Sequence, residues 1–66
     1  MNNDDLTNLI KNKYPRFFGE YYENMDEFLS DIKPPYKIAE QWEEFGITLA
    51  LLFDNNMWEC IVGIKK

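Results

Sequence analysis

Polar and apolar positions alternate along this chain first with the period of a helix and then with that of a strand. Leu6, Leu9, Ile10 and Lys13 fall at i, i+3, i+4 and i+7, which predicts a short helix over 5–13. Asp4 and Asp5 stand where a helix start favours negative charge, and Lys11 and Lys13 where its end favours positive charge. Over 20–32, Tyr21, Tyr22, Met25, Phe28, Leu29 and Ile32 form a wide apolar stripe of helical period. Asn24 followed by Glu27 is a capping-box pattern, so the regular helix is free to begin at Met25, with 19–23 as a separate turn. Pro35 and Gly46 bracket a third segment, in which Ile38, Trp42 and Phe45 share a helical face. A strand is the rival there. It would put Glu40 on the same side as Trp42, so helix is preferred over 35–45.

Two runs rich in β-branched and aromatic residues, 47–53 and 57–64, flank Asp54-Asn55-Asn56 and predict a β-hairpin. With Asn55-Asn56 as a two-residue turn, Phe53 faces Trp58, Leu51 faces Cys60, Leu49 faces Val62 and Ile47 faces Ile64. All eight are apolar, and that segregation selects the register. A lone hairpin is marginal in water, so helices must cover its apolar face. The expected architecture is α+β: two to three short helices packed on one face of a C-terminal antiparallel hairpin. Leu6, Leu9, Ile10, Phe28, Leu29, Ile32, Ile38, Trp42 and Phe45 would supply the helical side of the core.

Length confines this to one compact domain, 1–66. No apolar run approaches the ~20 residues of a membrane span. The acidic opening MNNDDLTN does not read as a signal peptide, and a lone cysteine allows no internal disulfide, so a reducing cytoplasm is the expected compartment. A net charge of −5 argues against direct contact with nucleic acid or anionic membrane.

The chain has no histidine, which removes the Ser-His and Cys-His pairs, the imidazole base and the usual zinc site. Cys60 alternates onto the core side of its strand and reads as a structural thiol. No glycine-rich phosphate loop can be built from Gly19, Gly46 and Gly63. The expectation is a non-catalytic protein without cofactor or metal.

What is distinctive is where the charge lies. Residues 17–32 carry Glu20, Glu23, Asp26, Glu27 and Asp31 with no lysine or arginine, and 38–64 carry Glu40, Glu43, Glu44, Asp54 and Glu59, again with none. On helical spacing, Glu20, Glu27 and Asp31, with Glu23 beside them, line one ridge, and Glu40, Glu43 and Glu44 line a second. Every soluble helix has a polar face, so such ridges are also what simple solvation would produce. Presented together on one exposed side, and left unneutralised by the chain's own cations, they would instead bind a basic partner. Eleven aromatic residues are more than so small a core encloses, and Phe17 and Phe18 cannot both point inward from one regular element. Aromatic rings beside carboxylates are typical of protein contact surfaces.

A compact, acidic, histidine-free chain with surplus aromatics is similar in overall character to the small inhibitors that phages encode against host defence, the anti-CRISPR and DNA-mimicking antirestriction proteins. The resemblance extends over the whole chain but rests on no motif, and it carries no residue over. It implies a stoichiometric inhibitor, in the cytoplasm of a bacterial host, that blocks the nucleic-acid-binding surface of an effector complex. The seven residues of the two ridges would form the interface of a monomer or weak homodimer. An immunity protein or antitoxin neutralising a basic toxin shares the same physics; a small oligomerising accessory protein is the third possibility.

Overall fold

A computed structural model describes residues 3–56 and 59–65. The architecture is α+β, with two helices and a four-stranded mixed sheet. In chain order the elements are α1 (Asn3–Lys13), β1 (Phe17–Tyr22), α2 (Met25–Asp31), β2 (Lys37–Glu44), β3 (Ile47–Phe53) and β4 (Glu59–Ile64). The sheet runs β1-β4-β3-β2, with β1 parallel to β4 and the other neighbours antiparallel.

Each helix covers a different face of the sheet. Ile10 of α1 is fully buried against Phe17, Ile47, Leu49 and Ile61, with Leu6, Tyr14, Tyr21 and Trp42 around them. Phe28 of α2 is fully buried against Ala50, Leu52, Cys60, Val62 and Ile64, with Met25, Ile32 and Ile38 around them. The core is therefore two layers separated by the sheet. That explains the near-continuous apolar run of β3, which a strand wet on one side would not need.

The expected one-sided hairpin is corrected accordingly. β3 and β4 do pair antiparallel, but Leu51 faces Ile61, Leu52 faces Cys60, Ala50 faces Val62 and Leu49 faces Gly63, one position away from the expected register. Apolar segregation onto one face selects a register only when the other face is wet, and here both are buried. Nor can Asn55-Asn56 be a two-residue turn in that register; the chain leaves β3 through an Asx turn in which Asp54 Oδ1 accepts from the Asn56 N–H at 2.9 Å. The expected pairing of Trp58, and the strand start at Met57, lie outside the described residues.

The third helix does not form. Residues 37–44 are β2, a sheet-edge strand, and its hairpin with β3 turns at Phe45-Gly46. Both have positive φ, 57° and 77°, as a two-residue turn matching the twist of its strands requires. Gly46 thus marks a hairpin rather than a helix end. Glu40 does share a face with Trp42. At an edge beyond the cover of α1, it stays in water.

Residues 17–22 form β1, although Tyr21 and Tyr22 belong to the helical stripe expected over 20–32 and 19–23 to the separate turn expected before Met25. Its pairing with β4 is interrupted between Phe17 and Tyr21, so four steps along β1 match two along β4. Phe17 is buried while Phe18 is half exposed, as their adjacency required. The second helix begins at Met25, with Asn24 Oδ1 accepting from the Glu27 N–H at 2.8 Å. The Glu27 carboxylate reaches back to the Glu23 N–H at 3.0 Å. Leu9 and Leu29, expected in the core, are exposed. α2 has only seven residues and buries one ridge, Met25, Phe28 and Ile32, which leaves Leu29 beside it.

Candidate functional site

β1 and β2 are the two opposite edges of the sheet, and this decides how the acidic residues are distributed. The seven carboxylates expected to form adjacent ridges fall into separate groups. Glu20 is on β1, Glu23 is in the connection to α2, and Glu27 and Asp31 are on α2 itself. Glu40, Glu43 and Glu44 are on β2, not on a helix. Strand alternation puts Glu40 and Glu44 on the α1 side of the sheet, opposite Leu51 and Ile47, and Glu43 on the α2 side, opposite Thr48. The two rows are not presented side by side, because the element expected to carry the second is a strand at the far edge.

Some of these charges are also answered within the chain. Glu44 is held by three donors: the Lys13 ammonium, the Tyr14 hydroxyl at 2.5 Å and the Trp42 indole N–H at 3.1 Å. The bond from Lys13, and next that from Tyr14, hold its carboxyl below the usual carboxylate range. Glu44 is a structural tie between the end of α1 and β2. Glu23 lies 3.6 Å from the Lys65 ammonium, and Glu59 pairs with Arg16 at 2.7 Å.

The group on the other side differs. The Tyr22 hydroxyl donates to Asp31 Oδ2 at 2.6 Å. That bond, burial, and the charges of Asp31, Glu20 and Glu27 together push the Tyr22 phenol up to about 12. Three carboxylates from β1 and α2 therefore act on one hydroxyl. Among the described residues, no lysine or arginine is within ion-pair distance of any of them.

Beside this group lies an open groove of about 370 Å³. Its apolar walls include Phe18, Tyr22 and Tyr36, and its floor includes Leu52 and Val62, while Glu20 and Asp31 supply carboxylates. Lys33 and the Pro34-Pro35 loop complete it. The acidic half was legible from the basic-free stretch 17–32. The groove was missed, because it also needs Tyr36 and two strands distant in sequence; the only sequence signal was the surplus of aromatics at Phe18, Tyr22 and Tyr36. A second groove, of about 500 Å³, lies on the α1 side between Lys13, Arg16, Glu40, Trp42 and Glu59. It mixes both signs of charge.

Burial, then the charges of Glu20 and Asp54, push the Cys60 thiol up, which keeps it in the poorly nucleophilic protonated form. Among the described residues, no three His, Cys, Asp or Glu side chains are grouped to hold a metal ion. Among the same residues, no helix is long and apolar enough to cross a membrane. No protein-family model matches the chain, and neither does a curated protein or a solved structure.

Proposed function

We propose that this protein is a non-catalytic binding protein that docks the acidic side formed by β1 and α2 onto a basic surface of another protein. A nucleic-acid-binding surface of a host defence protein is the target class that the overall resemblance implies, and blocking it would make the protein a stoichiometric inhibitor. The observation that carries this reading is that Glu20, Glu27 and Asp31 all border Tyr22, which donates to Asp31 at 2.6 Å, with no described cation paired to them. Glu27 accepts the Glu23 N–H and Asp31 the Tyr22 hydroxyl, but neither bond brings positive charge, so the three like charges still repel one another. A lysine- or arginine-lined partner would relieve that repulsion and be steered to it over a Debye length. Glu40 and Glu43 are not part of this surface, because β2 sits at the opposite edge of the sheet.

The reading is tested by capture on the immobilised protein from a bacterial lysate, followed by purification of what is retained. The expected partner is basic, is lost as salt rises, and releases labelled DNA or RNA when the protein is added in equimolar amount. Retention of neutral or acidic proteins only, or a partner whose nucleic-acid binding is unchanged, overturns it.

A further inference from the structure

The groove beside Tyr22 combines two features that select one kind of side chain. Its floor is made of Leu52 and Val62, which are 4% and 3% exposed, so a ligand lying on it meets closed apolar packing. Its walls bring in Phe18 and Tyr36, which are 50% and 39% exposed, so both border the open mouth of the groove. At the same groove, Asp31 has spent one oxygen on the Tyr22 hydroxyl, leaving Oδ1 without a hydrogen bond among the described residues, and Glu20 likewise accepts none. A volume of about 370 Å³ is at the lower end of the ~300–1,000 Å³ of ligand pockets, enough for one long side chain and its flanking backbone.

We propose that this groove is an anchor pocket for an arginine side chain of the protein partner. The inference rests on the reading of the β1–α2 side as the docking surface and names what that surface grips. The methylene stem would lie along Leu52 and Val62, where burying each CH₂ is favourable. The guanidinium plane would pack against the aromatic walls while its forked N–H groups donate to Glu20 and Asp31. Lysine fits less well, because a compact, strongly hydrated ammonium neither stacks nor bonds two carboxylates in one plane. Lys33, on the same groove, opposes a second cation, so the chain's own charge moderates the affinity.

The test is an NMR titration of the full isotope-labelled chain with a blocked Gly-Arg-Gly peptide and with its citrulline analogue, which keeps the shape and loses the charge. The arginine peptide is expected to saturate with a dissociation constant on the order of 1 mM, moving amides in 18–22, 31–36 and 60–62. The citrulline peptide should bind about tenfold more weakly or not at all. Phe18→Ala and Glu20→Gln should each weaken the arginine peptide about tenfold, the loss expected of an anchor contact worth ~1.4 kcal/mol. Lys33→Gln should tighten it, and Asn12→Ala, on the outer side of α1, should leave it unchanged. Equal binding of the two peptides, or shifts confined to the groove on the α1 side, overturns the pocket. A partner that is still captured through Glu27 while the arginine peptide ignores the groove defeats the pocket and leaves the basic-partner reading standing. An arginine peptide that binds the groove while the captured partners are not basic does the reverse.

Discussion

Tyr14 and Glu44 stand thirty positions apart and share a 2.5 Å hydrogen bond, phenol to carboxylate, at the junction of α1 and the edge strand β2. The same carboxylate takes the Lys13 ammonium and the Trp42 indole N–H, and the Tyr14 and Trp42 rings pack at 5.5 Å between centroids. A residue that sequence spacing assigned to a binding ridge is thus occupied in holding α1 on the sheet.

The first prediction concerns acid. Because the native Glu44 carboxyl releases its proton below the ordinary 4.5, the folded state binds fewer protons there than the unfolded one. Its contribution to stability is complete above about 4.5 and is lost as pH falls through the depressed native value. Urea unfolding from pH 6 to pH 3 should show a shallower loss of stability for Glu44→Gln than for the parent. Parallel acid limbs would mean the tie carries no pH dependence.

At the alkaline end the relevant pair is Tyr22 and Asp31. With the phenol raised from 10.0 to about 12, the native state keeps its proton through a range where the unfolded chain loses it. That stability is complete below pH 10 and disappears as pH climbs through about 12. Ultraviolet titration of the native protein should show late-ionising phenol, to which Tyr14 also contributes through its bond to Glu44, and Asp31→Asn should bring the Tyr22 share down in pH while Tyr14 stays late.

Close approach makes Gly63 a sensitive position. A Cβ built there would come within 2.8 Å of Tyr21 Cδ1 and 3.1 Å of Ile47 Cδ1. Tyr21 is itself fixed by a 2.6 Å hydrogen bond to Thr7 and by its edge contact with Phe17, so it cannot simply swing away. Gly63→Ala should cost about 1–3 kcal/mol of stability in chemical denaturation, the usual range for overpacking. An unchanged midpoint would contradict the packing described for the α1 face.

Asn24 caps α2 with its side chain, and the helix is only seven residues long. So short a helix depends on its cap and on the burial of Phe28. Asn24→Ala should therefore cost about 0.5–2 kcal/mol, and Phe28→Ala about 3–5 kcal/mol, in the same measurement.

Sequence pattern and structure agree where a single face decides the outcome. The spacing of Leu6 and Ile10 and the Asn24–Glu27 cap identified both helices, and the pairing of β3 with β4 was readable from their composition. Disagreement arose where two faces compete. With α1 on one side of the sheet and α2 on the other, every side chain of β3 from Leu49 to Leu52 packs inward to some degree, so alternation held no information about register. β2 is not legible from alternation, because a strand there puts a carboxylate, costly to bury, on the Trp42 face. Glu40 avoids that cost at an edge open to water, and Glu44 does so by taking three donors. β1 was hidden by the irregular pairing between Phe17 and Tyr21, which spoils its period. Of the candidate site, the acidic stretch 17–32 was visible as a local absence of cations, while the groove is built from contacts that no local pattern encodes.

The account assigns recognition to the β1–α2 side and none to Glu40 and Glu43. Affinity capture with two charge-reversed variants, Glu27→Lys with Asp31→Lys and Glu40→Lys with Glu43→Lys, tests this most directly, with circular dichroism confirming that both remain folded. The account predicts that the first pair loses the basic partner and the second keeps it at the parent's level. Loss of the partner by the second pair with retention by the first would place the interface at the other edge of the sheet and contradict the account.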